Sequence, residues 1–468
     1  MSIERIHAIL SRSFKAMNQS LSSASVQKQD EVKHTGSITR HAGIVSFFTF
    51  ISRIFGFLRD QTVVHLFGAS QATDSFFVAF TIPNVFRRLV AEGSLTISFI
   101  PLFKEIMVGE GKDEAYQFFC RVFTLLCIIL AGLIGLGILF APYIVHAVGY
   151  GCAEEEGQGI ITIHLTRMMF PYLFFVSLVA LAMGVLNSLE KFAAPAAAPI
   201  FLNIAMIMSA WFFHSSFAVP IESLAIGVLV GGAIQLVLQI PTLKKLQMLP
   251  KFTTHILDSR VKQLLKLMTP ALIGLSVYQM NIIINRQLAC LLPPGNVTYY
   301  YNSDRMLELV TGIFVISIAT ATLPSLSEKI ASRKIQEAQT TFMFSIKMTL
   351  LITIPAITAL VLLAQPIMST FYYHGAFTQH DVTKTAELLV YFAIAILPVS
   401  IVRIIVPAFY AIKDTKTPVK AAFVAFTVNA IAGYSLLDTL GIKILALSFI
   451  LSTLAQGGVL TIALIRKI

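Results

Sequence analysis

The chain has 468 residues, of which 56% are apolar and 13% charged, with a mean hydropathy of +0.78. A soluble domain carries about 25% charged residues, so a soluble globule, a disordered chain and a fibre are excluded. The formal charge is +11. With no basic-aromatic cluster and no nucleic-acid motif, that charge points to basic loops on the cytoplasmic side of a membrane, not to a nucleic-acid partner.

Residues 1–40 are polar, with Ser and Gln gathered between Gln19 and Gln29. They hold no apolar run followed by a small-residue cleavage site, so no secretory signal peptide is expected. A loosely ordered cytoplasmic extension is expected instead. Beyond it, apolar runs recur near the roughly 20 residues that a bilayer core of about 30 Å requires. Continuous runs such as Val122–Val148 exclude the alternation of a β-barrel. Twelve helices are counted, near 41–59, 72–102, 118–148, 160–188, 194–214, 221–243, 264–292, 298–326, 341–371, 386–411, 418–437 and 442–465.

With the N-terminus inside, the inner loops hold fifteen Lys and Arg, and the outer loops beyond the first hold only Lys384 and Lys443. The bias predicts a cytoplasmic N-terminus. The two halves of the chain echo each other. Pro101 and Pro324, Pro171 and Pro398, and Asn203 and Asn429 are offset by 223, 227 and 226 residues. The expected fold is all-α and polytopic, with two pseudo-symmetric six-helix lobes, 41–245 and 246–468, around a central cavity. Such folds work by alternating access.

Each ionisable residue inside a membrane helix costs about 2.5–3.5 kcal/mol on insertion scales and marks function by default. The first span carries Ser52, Arg53, Arg59 and Asp60; the second carries Asp74, Asn84, Arg87, Arg88 and Glu92; the eighth carries Asp304, Arg305 and Glu308. Arg286 and Arg403 are further suspects. Arginine is always charged, and its planar fork matches phosphate oxygens. An arginine cluster with fewer acids therefore suggests an anion site that clamps a diphosphate from both lobes. Arg88 also fits snorkelling to headgroups. Two readings of Asp60, Asp74 and Glu92 stand: partners that orient the arginines, or ligands of a coupling cation. Arg305 and Glu308 are spaced for an intrahelical ion pair.

No phosphate-binding loop, HExxH or nucleophile elbow is present, so no enzyme, metal or cofactor is expected. A gradient or the membrane potential would drive transport. The cysteines Cys120, Cys127, Cys152 and Cys290 have no metal or redox spacing, and no disulfide framework is expected. Cys120 and Cys127 read as packing residues.

The runs Ser52–Asp60, Phe67–Ala69, Ala72–Phe80, Pro83-Asn84 and Arg87–Ser94 resemble the MurJ (MviN) lipid II flippases of the multidrug/oligosaccharidyl-lipid/polysaccharide exporter superfamily. So do Pro270-Ala271, Tyr299-Tyr300 with Asp304-Arg305, Leu323–Leu326 and Lys413–Pro418. The resemblance runs from about residue 40 to the C-terminus. It implies export of an undecaprenyl-diphosphate-linked peptidoglycan precursor across the bacterial inner membrane. By resemblance, the essential cavity arginines are Arg53, Arg59, Arg87 and Arg305, with Ser52 beside Arg53. The important acids and polar residues are Asp60, Asp74, Asn84 and Glu92. Implied partners are lipid II and membrane lipids, with cell-wall synthesis enzymes as further candidates.

The family has fourteen spans against the twelve counted here. That implies either a truncated or split product or a different way of handling the lipid tail. Three alternatives to lipid II transport remain in view: flipping another polyprenyl-diphosphate glycan, cation-coupled export, and a non-transporting paralogue or scaffold. An exporter favours an aromatic cavity with one or two acids over an arginine cluster. A scaffold would tolerate loss of the arginines.

Overall fold

The computed structural model describes residues 43–155 and 157–467. The expectations for residues 1–40 lie outside them. Among the described residues there is no strand. In a bilayer a chain must satisfy every backbone N–H and C=O internally, and an apolar run does so as a helix.

In chain order the helices are α1 (43–67), α2 (Gln71–Phe86), a π-helical stretch Arg87–Leu95, α3 (Thr96–Gly109), α4 (Lys112–Leu139), α5 (Ala141–Val148), α6 (Tyr150–Glu154), α7 (Gln158–Met169), α8 (Tyr172–Ser188), α9 (Ala193–Phe213) and α10 (Glu222–Lys245). The second half runs α11 (Ser259–Cys290), α12 (Asn296–Val310), a π-helical stretch Thr311–Val315, α13 (Ile316–Ala331), α14 (Ile335–Leu362), α15 (Ala364–Tyr372), α16 (Gln379–Ala411), α17 (Lys416–Leu440) and α18 (Lys443–Ile465). Nine helical stretches among the described residues are long and apolar enough to cross a membrane. The sequence count of twelve adds α1, α2 with its continuation into α3, and α11. The first two of these additions carry the densest intramembrane charge.

The repeat has a structural counterpart. In each half a helix passes through a π-helical stretch into a second helix: α2 into α3, and α12 into α13. In each half a 28-residue helix is followed by a short one, α4 by α5 and α14 by α15. The prolines offset by 223 residues, Pro101 and Pro324, both lie in the helix that follows the π stretch.

Side-chain caps set several helix starts. Ser70 accepts from Thr73 N at α2, and Asp258 from Val261 N at α11. Thr378 and Asp381 form a reciprocal capping box at α16. Asp414 accepts from the Lys416 and Thr417 amides at α17. The Lys467 ammonium and the Thr417 hydroxyl hold the Asp414 carboxyl below its ordinary range.

Large apolar side chains such as Leu139, Phe212, Leu351, Leu362, Phe423 and Ile431 are exposed on the outer face, as expected of a surface that faces lipid. Polar groups go inward: Asn203, Gln235, Gln239, Asn285, Asn302 and Asn429 are all buried. Cys120 and Cys127 are buried and free, as packing residues should be.

The two halves meet closely at one end, built from the loops after α1, α5, α11 and α15. There Ala376 N donates to His65 O at 2.8 Å, and Gln61 Nε2 donates to Phe371 O at 2.8 Å. Gly68 and Gly375 have φ of +61° and +63°, and a Cβ on either would strike the opposite backbone, 2.7 Å from Ala376 O and 2.2 Å from His65 O. Glycine is needed here for both conformation and approach.

At the same closed end a disulfide joins Cys152 on α6 to Cys290 at the end of α11, with Cα atoms 4.9 Å apart. This corrects the expectation of no disulfide. The two cysteines are 138 residues apart, and the approach of α6 to α11 is tertiary, so local spacing carries no trace of it. At the opposite end Arg121 pairs with Asp258, and Arg260 pairs with Glu105 and Glu110.

Candidate functional site: an arginine-lined cavity between the halves

A cavity of about 810 Å³ lies between the two halves. Seven arginines line it: Arg53, Arg59, Arg87, Arg88, Arg286, Arg305 and Arg403. Among the described residues Asp304 and Glu308 are its acidic lining, and Ser52 and Asn84 lie on its wall. No Lys among the described residues belongs to the lining. At 3.6 residues per turn Arg53 and Arg59 sit about 120° apart around the axis of α1, so they reach different parts of the cavity wall. On α12, Asp304, Arg305 and Glu308 share a face.

The arginines are held, not loose. Asp60 is 1% exposed and lies behind the lining. Its Oδ1 accepts from Arg59 Nε at 3.0 Å and Nη2 at 2.6 Å, and its Oδ2 accepts from Arg305 Nε at 2.8 Å. Tyr301 Oη donates to Asp60 Oδ1 at 3.2 Å and accepts from Arg59 Nη2 at 3.0 Å. Arg59 Nη1 donates to Asn203 Oδ1 at 3.1 Å, and Asn203 Nδ2 donates to Ser52 O at 3.3 Å. One carboxylate thus aligns two guanidiniums from α1 and α12. The intrahelical pair expected on α12 is present, with Arg305 Nη1 3.1 Å from Glu308 Oε2.

Further along the wall, Arg53 Nη2 donates to Gly312 O at 3.3 Å in the second π stretch. Arg87 Nε donates to Asn84 Oδ1 at 3.3 Å, and Arg88 lies 3.9 Å from Glu308. Both π stretches therefore border the cavity. A π turn re-aims side chains relative to a regular helix and is frequent at functional sites.

One residue named from sequence lies elsewhere. Asp74 is 1% exposed and sits off the cavity wall. It accepts from Gly295 N at 2.6 Å, Thr298 N at 2.9 Å and Thr298 Oγ1 at 2.6 Å. It is a cap supplied across the boundary to the start of α12, at the closed end. The Glu92 side chain lies outside the described residues. Sequence reasoning missed the roles of Asn203 and Tyr301. The isolated amide of Asn203 in the otherwise apolar α9 is the signal that could have found it.

Residues 63–468 match the family model described as lipid II flippase MurJ. A lipid II flippase MurJ of Burkholderia cenocepacia is 37% identical over 409 residues, covering 86% of this chain and 79% of that protein. A probable lipid II flippase MurJ of Bdellovibrio bacteriovorus is 35% identical over 447 residues, covering 95% and 84%. Among solved structures, a lipid II flippase MurJ in an inward closed conformation matches with a TM-score of 0.79 at 27% identity, covering 90% of this chain and 87% of that one. An inward-facing MATE transporter of the MOP superfamily shares the fold, with a TM-score of 0.73 at 13% identity over 91% and 98%. The chain is a multi-pass membrane transporter and belongs to the lipid II flippase MurJ family.

Proposed function

We propose that this chain is a lipid II flippase. It moves an undecaprenyl-diphosphate-linked peptidoglycan precursor from the inner to the outer leaflet of the bacterial cytoplasmic membrane by alternating access. The observation that carries this is the cavity between the halves, with seven arginines against two lining acids among the described residues. Such an excess of fixed cations suits a diphosphate, and the fork of each guanidinium can take two of its oxygens. Arg53, Arg59, Arg87 and Arg305, with Ser52 and Asn84, bind the diphosphate. Asp60 and Glu308 hold the arginines in position.

The N-terminus is cytoplasmic. The distribution of Lys and Arg supports this. So does the Cys152–Cys290 disulfide, which belongs at an oxidising face and lies at the end assigned to the outside. The membrane potential favours the export step. Each negative charge carried from an inside-negative compartment gains about 2.3 kcal/mol per 100 mV. The potential or an ion gradient resets the empty protein.

The test is complementation in a bacterium depleted of its own lipid II flippase, scoring externally accessible lipid II. The parent chain should rescue growth, and the Arg87→Ala, Arg305→Ala double variant should insert but not rescue. Normal growth on that double variant would overturn the reading.

A further inference from the structure

Arg286 is held differently from Arg59 and Arg305. Arg59 and Arg305 already share the charge of Asp60, and Arg305 also meets Glu308. Arg286, on α11, is 6% exposed and lines the same cavity. Its Nε donates to Thr81 Oγ1 on α2 at 3.1 Å. Its guanidinium carbon lies 5.4 Å from the Tyr300 ring centre and 5.5 Å from that of Tyr301. Its Nη1 is buried without a hydrogen-bond acceptor. The acids that feel its charge are Asp304 and Asp74, and both Asp74 oxygens are already engaged by Gly295 and Thr298.

A buried donor with no acceptor is destabilising, and more so when charged. The Thr81 bond and the two rings fix the guanidinium plane, so little freedom is lost when an anion arrives. Gly312, the contact of Arg53, lies seven residues beyond Arg305, roughly 10 Å along the helix at 1.5 Å per residue. Arg286 and the tyrosines thus mark a deeper level of the cavity than Arg53.

We infer that Arg286 is a further substrate-binding residue: the deep hydrogen-bond donor of the cavity, whose unpartnered Nη1 donates to an oxygen of the diphosphate. The inference rests on the diphosphate reading given under the proposed function. It also implies an exchange of stability for binding, because the ligand-free protein carries an unsatisfied buried donor that the ligand relieves.

The test is thermal unfolding in nanodiscs with undecaprenyl diphosphate in the bilayer and, in a separate arm, inorganic pyrophosphate in the buffer. Parent, Arg286→Gln, Arg286→Lys and Thr81→Val are compared. The ligand should raise the parent's melting temperature, and the arm that does so identifies the lipid or the free anion as its source. Ligand-free Arg286→Gln should melt at or above the parent, yet need about tenfold more ligand for half its shift, the effect of one charge-assisted hydrogen bond. Arg286→Lys should fall between them.

A lower ligand-free melting temperature with unchanged half-saturation in Arg286→Gln would assign Arg286 a structural role and overturn the inference alone. Should that variant not fold, Thr81→Val and Arg286→Lys decide, and unchanged half-saturation in both overturns it. A parent that responds to neither probe overturns the diphosphate reading of the whole cavity, and this inference with it.

Discussion

Arg305 Nε lies 2.8 Å from Asp60 Oδ2, and the two residues come from opposite halves of the chain, α12 and α1. The same carboxylate holds Arg59, so one buried acid sets the geometry of two cavity arginines. Asp60→Asn keeps the shape and removes the charge. Arg59 then loses its counter-ion and Arg305 keeps only Glu308, and breaking a buried pair from one side costs about 3–5 kcal/mol. Arg305 is partly exposed, which places the expected loss near the lower figure. Thermal unfolding in detergent measures it, and an unchanged melting temperature would show that Asp60 is not the keystone of this cluster.

Asp74 joins the halves differently, by capping α12 from α2. Asp74→Ala strands the Gly295 and Thr298 amides at a buried site. The expected cost is about 1–3 kcal/mol. Hydrogen exchange should rise at those two amides before it rises in the middle of α12. Exchange that stays slow there would mean that the cap is dispensable.

The cysteine arrangement gives a count. Denatured without reductant, the parent should expose two thiols, Cys120 and Cys127, and after reduction four. Gly151→Ala should move the unreduced count toward four. Its Cβ would stand 2.1 Å from the backbone oxygen of Cys290 and push α6 off α11. Four thiols in the unreduced parent would contradict the bond.

Orientation is testable by labelling. Thr439→Cys, at the end of α17, should react with a membrane-impermeant maleimide on intact cells. Lys191→Cys, between α8 and α9, should react only after permeabilisation. The reverse pattern would invert the assigned topology and the direction of transport with it.

Much of this was legible in the sequence, for a physical reason. Charges in apolar helices have few tolerable locations, so Arg53, Arg59, Arg87 and Arg305 point to an internal cavity before any coordinates exist. The Arg305–Glu308 pair is local and follows from helix spacing. Asp74 and Asp60 could not be told apart that way: both are acids among apolar residues, and only tertiary contact makes one a clamp for arginines and the other a helix cap. The π stretches were equally hidden, because Arg87–Leu95 has no residue pattern that separates a wide turn from a regular one. Arg286 was visible as a charge, but its unfilled Nη1 was not.

The bond between Cys152 and Cys290 acts differently from everything else that closes its end of the molecule. Other contacts there, among them His65 to Ala376, Gln61 to Phe371 and Asp74 to Gly295, are hydrogen bonds that water can replace. A covalent tie cannot be exchanged in that way. While it is intact, α6 and α11 keep their separation, and any parting of the halves must pivot about that point, like a door on one hinge. The Gly68–Gly375 seam, where Ala376 bonds to His65, then carries no covalent tie and is free to separate while α6 stays on α11.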